Sequence, residues 1–565
     1  MIDEEQLPKL ITICCPCFTK EGFSCADKSK ELIDLIKIFF VKKDYKRPWI
    51  IFSGGTGTGK STIFNAVCGL NISQAGVERP KTSGLIAYAP EGLIEEKTLL
   101  NLKVKILPPL EHSQKIMTVG SPECLTIFEY PERNKDFDCI IVDTPDIDSL
   151  DERNHETSLR FLKIADLVIF ITSPEKYADE IPSKLLKNLM NDIVNCDVVF
   201  NKATDQFTFE EIINSFHMNG IDIQNKQLWI IPYEAVSSSI LKAPAFKKFT
   251  AHIKTESDRL GKTPEIANRQ YLFKNKIAKK AQEIAGILYE EKTISKQWII
   301  NIEDIKERMI ENFLQQEKNN YLNTHSFYIK EQVRKLFLKY DPLIRVRSIF
   351  KNFFDFPFTL FKINSDPINN NNDENSIDIT PLLTIMEQYH NKVLESFSPK
   401  NKKSPLYIKL IDPELKVSAQ EISARIEAFS KEISEWLKNE VNILSKELVG
   451  KKKWGIYSTA ALWGLMVIFL QVVTAGGFTL IEGIFDALIA PFISKGTMEL
   501  FAYKEIKNLT KKLATRYQDI LLGIIEEQKI RYISALNQFE THSETFKILK
   551  QLTNFSDINK AGEPE

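Results

Sequence analysis

The stretch Ile50–Gly69, IIFSGGTGTGKSTIFNAVCG, carries the spacing G-x-x-x-x-G-K-S over Gly54–Ser61. An apolar run that reads as a strand, Pro48–Phe52, precedes it, and a helical pattern comes after. In that setting the glycines let backbone N–H groups approach phosphate oxygens, the lysine neutralises the outer phosphates, and the hydroxyl ligates Mg²⁺. The expected nucleotide contacts are Gly54, Gly55, Thr56, Gly57, Thr58, Gly59, Lys60, Ser61 and Thr62, with Lys60 also expected to act in catalysis.

Working outward, CIIVDTPD (Cys139–Asp146) is an apolar strand ending in an acid. An Asp at such a strand end beside a phosphate loop can hold Mg²⁺, often through water, and Asp143 takes that role. Between the two elements, RPKTSG (Arg79–Gly84) offers Thr82 as a metal ligand and catalytic residue on a mobile loop. The expected metal set is thus Ser61, Thr82 and Asp143. Further on, VVFNKATD (Val198–Asp205) resembles the N-K-x-D element that reads guanine. Its fourth position is Thr204, and the acid arrives one place late at Asp205. Asn201, Lys202 and Asp205 are the expected base-side contacts. A bidentate contact to a base edge is worth about 1–3 kcal/mol, so the slip weakens or removes guanine selectivity. GTP is favoured over ATP, and the expected cofactors are GTP and Mg²⁺.

A chain of 565 residues accommodates three or four units of roughly 150 residues each. Hydrophobic content of 43% and charged content of 26% exclude global disorder. The net charge of −1 excludes a nucleic-acid binder acting through bulk positive charge, so no nucleic-acid partner is expected. Eight cysteines are too few for a disulfide framework. Cys14, Cys15, Cys17 and Cys25 cluster near the start without a second ligand pair at zinc spacing. They read as reduced thiols, with metal binding or acylation as the alternative. Asp3, Glu4 and Glu5 occupy the place of a basic n-region, so no signal peptide is expected.

A helical segment is expected over 1–46, with Leu32, Leu35, Ile36, Phe39 and Phe40 as its stripe. Over 47–245, the short apolar runs WIIF, LTIFEY, CIIVD, LVIFIT, VVFN and LWIIP alternate with helical stretches, which predicts a mainly parallel α/β domain. A helical stalk is expected over 246–450, with a polar linker near 364–378. A returning helix is expected over 497–553 and a tail over 554–565. Ile422, Ile426, Phe429, Ile433, Leu437, Leu444 and Leu448 mark one apolar stripe. Ile506, Leu509, Leu513, Tyr517, Ile520 and Ile524 mark another.

Between these lies 451–496. Its part Trp454–Ile481 has no charged residue across 28 positions, about 42 Å as a helix against the roughly 30 Å of a hydrocarbon core. Membrane contact is favoured over a buried bundle helix. Lys451, Lys452 and Lys453 precede it, and Lys495, Lys504, Lys507, Lys511 and Lys512 come after it. Positive charge on both flanks suits a hairpin or re-entrant paddle with both ends on the cytoplasmic side, and not a single span. The phenylalanine-rich Phe350–Phe361 reads as hinge or core packing in preference to lipid contact.

This order of parts (leading helix, phosphate-loop domain, long helices, hydrophobic tip, returning helices) resembles the dynamin superfamily. The nearest likeness is to bacterial dynamin-like proteins and mitofusins. The resemblance implies an α/β P-loop GTPase domain plus a long α-helical bundle with a hydrophobic membrane-contacting hairpin. It implies a GTPase on the cytoplasmic face of a membrane, whose partners are lipid and further copies of itself joined as a homo-dimer or higher oligomer through the GTPase domains. Its turnover would bend, tether or fuse bilayers. In dynamin a water-orienting Gln stands where Thr56 stands here, and the Gly of D-x-P-G is here Asp146; Ile147 is next, so no Gln stands there either. A membrane-tethered regulatory switch and a nucleotide-binding scaffold with negligible hydrolysis are the alternatives.

Overall fold

The computed structural model describes residues 13–320, 380–449 and 500–555, apart from short stretches at 75–83, 95–97, 100–101, 108–120, 122, 131–137, 149–151, 178, 192–194, 205–206, 225–226, 234–240 and 398–401. Trp454–Ser494, Phe350–Phe361 and the polar linker lie outside the described residues. The chain divides into two compact units: Lys28–Glu283 with both termini, and Thr12–Asp27 with Ile284–Phe546.

The first unit is an α/β domain around a sheet of nine strands among the described residues. They are β1 (Trp49–Gly54), β2 (Leu85–Pro90), β3 (Thr98–Leu99), β4 (Leu102–Leu107), β5 (Cys124–Tyr130), β6 (Ile140–Asp143), β7 (Leu167–Thr172), β8 (Asn195–Ala203) and β9 (Leu228–Pro232). The order is β3-β4-β5-β2-β6-β1-β7-β8-β9. Neighbours are parallel except β2 with β6 and β3 with β4. Each of the six apolar runs forms a strand. Strands β2, β3 and β4 add to them; LKVKIL of β4 interleaves lysines with apolar residues at the sheet's margin and gives no buried-strand signature.

The continuous apolar runs arise from the pleat, since successive side chains face opposite sides and both sides are covered. Trp49 and Ile51 of β1 enter one core with Ile140, Val142, Val168 and Phe170, while Ile50 and Phe52 enter the other with Ile141, Ile169 and Ile171. Helix α1 (Lys20–Asp44) contributes Ile38 to the first core. So do α3 (Glu152–Leu162), α4 (Glu180–Asn191) and α5 (Phe209–Met218), through Phe161, Leu186 and Phe216. The second core is closed by α2 (Lys60–Cys68) and α6 (Pro244–Leu260), through Phe64, Val67, Phe246 and Phe249. At the N-terminal edge of β1 and β7, Asp166 accepts from the Trp49 N–H at 2.8 Å and pairs with both Lys42 and Arg269.

The second unit is helical. It contains parts of α1 and of the 58-residue α7 (Thr263–Asn320). Helices α8 (Thr380–Ser396), α9 (Pro405–Leu410), α10 (Ala419–Val449) and α11 (Leu500–Asn537) lie within it. Its core includes Trp298, Ile302, Tyr389, Phe397, Ile422, Ile426, Ile433, Ile524 and Tyr532. Both expected stripes supply buried residues where their side chains are described. Buried Gln528 satisfies backbone groups inside this core, accepting from Val417 N at 2.8 Å and donating to Leu415 O at 3.1 Å. Buried Glu291 caps the start of α1, accepting from the Phe18 and Thr19 N–H groups at 2.9 and 2.7 Å. A final helix, α12 (Ser543–Thr553), completes the described residues apart from a short turn. No helix among the described residues is long and apolar enough to cross a membrane.

Candidate nucleotide-binding site

The central strand β1 has β6 on one side and β7 on the other, so crossovers leave its C-terminal end in opposite directions. Ligands of open α/β sheets bind in the crevice at such a switch point, and the phosphate loop Gly54–Ser61 occupies it. Gly54 passes so close to β7 that a Cβ there would stand 2.2 Å from Ile171 O. Gly59 adopts φ +90 as the residue before α2, whose N-terminus has no side-chain cap. Its first-turn amides are left to an anionic ligand.

Lys60 is 3% exposed and reaches Asp143 Oδ1 at 3.3 Å, Asp146 Oδ1 at 3.4 Å and the Thr144 carbonyl. Burial works against its ammonium, yet the Asp143 and then the Asp146 carboxylates outweigh burial and hold its pKa above that of an ordinary lysine. Asp143, fully buried, accepts at Oδ2 from Ser61 Oγ at 2.8 Å and from Ser73 Oγ at 2.7 Å. Ser73 is held there by Asn65, whose Oδ1 accepts from Ser73 N at 3.0 Å and whose Nδ2 donates to Ser73 O at 2.7 Å.

A carboxylate and two hydroxyls converging beside the lysine form a hard oxygen donor set, which fits Mg²⁺. Ser61 and Asp143 would hold it, and when bound it would offset charge on the phosphate oxygens. Among the described residues no group of three or more His, Cys, Asp or Glu could hold a metal by itself. Mg²⁺ needs none, since it keeps water and phosphate ligands.

From β8, Asn201 Nδ2 donates to Thr58 O at 2.8 Å and Lys202 Nζ to Gly57 O at 2.8 Å. Lys202 holds φ +58, rare for a side chain this large, where the register with β9 shifts between Phe200 and Ala203. Thr62 lies in the first turn of α2 and Thr204 is exposed. The structure therefore brings Gly54–Thr62, Asp143, Asn201 and Lys202 together. Thr82 and Asp205 lie outside the described residues.

Three groups escape a reading of the sequence as site residues. Ser73 carries no motif signal. Asp146 and Asp148 are the second and third acids of DTPDID, and that acidic repetition is the available cue. Thr56 donates through N and Oγ1 to Asp148 Oδ1, at 2.7 and 2.6 Å. Ile147 is 1% exposed, within the core.

No protein-family model matches the chain. A curated protein of Caldicellulosiruptor sp. (strain Rt8B.4), described as an uncharacterized protein in the xynA 3' region, is 30% identical over 189 residues. That match spans 32% of this chain and 46% of the relative, about half its length. The solved structures similar to this chain include bacterial dynamins, as the order of parts leads one to expect. One belongs to an oligomerised bacterial dynamin pair described as a mechanism for long-range sensing and tethering of membranes, with TM-score 0.32, 14% identity and coverage of 100% of this chain and 96% of that one. A second chain from such a pair has TM-score 0.28, 13% identity and coverage of 99% and 94%. LeoA, a bacterial dynamin GTPase from ETEC, has TM-score 0.24, 12% identity and coverage of 98% of each chain. Scores this low carry no functional inference, so function is read from the phosphate loop itself.

Proposed function

We propose that the chain is a dynamin-like, membrane-associated GTPase that couples GTP binding and hydrolysis to membrane remodelling, tethering or fusion. The observation that carries the nucleotide part is the convergence of Lys60, Ser61 and Asp143 on a phosphate loop at the end of the central strand. Lys60 and the α2 amides would bind the phosphates. Ser61, Asp143 and Thr82 would hold Mg²⁺. Asn201, Lys202 and Asp205 would serve the base side, with GTP preferred to ATP. The membrane part rests on the uncharged run Trp454–Ile481 and its lysine flanks. It would form a hairpin on the cytoplasmic face of a membrane, with copies of the chain pairing through their GTPase domains.

One observation favours the switch or scaffold reading. Neither Thr56 nor the buried Ile147 supplies a side-chain amide to orient water. Turnover at rising protein concentration, with and without liposomes, separates these readings. A remodelling GTPase speeds up with both. A switch hydrolyses at a rate indifferent to both, and a scaffold retains unhydrolysed nucleotide. Leu465→Asp with Phe469→Asp places two acids in the run, each opposing insertion by about 2.5–3.5 kcal/mol. Liposome flotation is expected to vanish while labelled GTP still binds. Retained flotation refutes the membrane assignment.

A further inference from the structure

We propose that Asp148 positions the attacking water during hydrolysis, held at its post by Thr56. This rests on the GTPase reading and names the group that reading leaves open. Phosphoryl transfer to water requires a polar side chain that fixes the water beside the outer phosphate. Three carboxylates converge on the phosphate loop, and they differ in what holds them. Asp143 is engaged by Ser61, Ser73 and Lys60, the set that suits the metal. Asp146 sits on Lys60, which must turn toward phosphate when nucleotide enters. Asp148 is instead fastened to the loop itself, by the Thr56 N–H and hydroxyl on Oδ1 at 2.7 and 2.6 Å. That anchorage uses neither Lys60 nor the Ser61 and Asp143 oxygens.

Its second oxygen faces the loop's first turn, lying 3.3 Å from where a Cβ on Gly55 would stand. Lys176, between β7 and α4, places Nζ 3.8 Å from that oxygen and 2.6 Å from Asp179 Oδ2. A carboxylate beside phosphate is repelled, and this lysine moderates the repulsion. Thr56 is too short to orient water across the loop, but it locks a longer-reaching acid in place. In the step, the water oxygen bonds to the γ-phosphorus as the bond to the β–γ bridging oxygen breaks. That bond's electron pair stays on the diphosphate. Asp148 accepts the water's hydrogen bond, and the proton leaves through it to the released phosphate or to solvent.

The test compares wild type, Asp148→Asn, Asp148→Ala and Thr56→Val in the full chain. Single-turnover hydrolysis of GTP is measured beside the Kd for labelled nucleotide and a thermal melt. Asp148→Ala neither holds the water nor takes its proton, and Asp148→Asn keeps an acceptor oxygen but cannot take the proton. Both are expected to lose about 10²–10⁴-fold in the hydrolytic rate, with nucleotide Kd little changed. Thr56→Val is expected to fall between them and wild type, because the acid stays but its anchor loosens. Should Asp148→Ala unfold, the isosteric Asn variant gives the reading. Hydrolysis within about threefold of wild type in Asp148→Asn overturns the proposal while the GTPase reading stands. A parallel fall in rate and affinity makes Asp148 a prop for the loop and also overturns it. Wild type that binds but never hydrolyses, even concentrated on liposomes, refutes the GTPase reading and takes this proposal with it.

Discussion

Replacing Asp146 by Asn should tighten nucleotide binding, although it removes a residue from the heart of the site. Lys60 is shared between Asp143 and Asp146, and the Asp146 oxygen stands 3.4 Å from its ammonium. At an effective dielectric of about 20, unit charges at that distance interact by about 5 kcal/mol. Asp146 is 28% exposed, so screening and competing water reduce the realised value to roughly 1–2 kcal/mol. An incoming triphosphate must draw Lys60 away from that partner and must also approach a like charge. Both penalties vanish in Asp146→Asn, which predicts a five- to thirty-fold lower Kd, by about 1–2 kcal/mol. Asp143→Asn is the contrast. It unpairs the same lysine but also disturbs the Ser61 and Ser73 acceptor, so Mg²⁺-dependent affinity should fall. Fluorescent GTP titrations in Mg²⁺ and in EDTA, at low and high salt, measure both. An Asp146→Asn protein that binds no better than wild type at low salt refutes the reasoning.

Other expectations concern backbone, pairing and pH. Gly59→Ala should abolish most affinity, because its Cβ would lie 2.3 Å from Asn201 Nδ2 at φ +90. Gly69→Ala, at φ +71 with nothing within 4 Å, should lose only the roughly 1–2 kcal/mol of left-handed strain and bind normally in the same titration. Asp166→Asn strands buried Lys42, so urea unfolding should show a loss of about 3–5 kcal/mol; a loss below about 1 kcal/mol contradicts the pairing. His390 is buried against Tyr532 Oη at 3.0 Å, and burial lowers its pKa from 6.5 to about 4. The unfolded chain takes up that proton first, so its stabilisation is complete above about pH 6.5 and is lost as pH falls toward 4, by about 3 kcal/mol. Denaturant melts of His390→Gln should show a flatter acid limb than wild type.

The phosphate loop is legible because its chemistry leaves a fixed spacing: glycines where backbone must approach a ligand, then a lysine and a hydroxyl at set distances. Strands β1, β6, β7 and β8 are legible because burial on both faces writes an apolar run, and β9 because its LWIIP is apolar although only partly buried. Strand β4 is not, since exposed Lys103 and Lys105 break the run. What no spacing announces is convergence from distant segments. Ser73 reaches Asp143 only because Asn65 folds the chain back after α2. Asp148 reaches Thr56 across 92 positions. Asp146 reads in sequence as a simple loss of glycine, yet its carboxylate sits on Lys60. Leu35 and Leu32 read alike in the α1 stripe, yet Leu32 is fully buried and Leu35 only partly so. A period-based reading gives the face, not the depth.

The contacts from Asn201 and Lys202 to the carbonyls of Thr58 and Gly57 have a consequence for anyone who would engineer nucleotide choice. If Asn201 and Lys202 serve the base side as proposed, base reading and phosphate gripping share parts in this molecule. Replacing the end of β8 together with the loop beyond it would remove the two side chains that brace the phosphate loop. A redesign for an altered base, such as an orthogonal nucleotide for labelling in cells, must therefore keep Asn201 and Lys202 and vary only the positions beyond Lys202. Libraries that randomise the whole loop will be dominated by clones that have lost the triphosphate, whatever base they were meant to prefer.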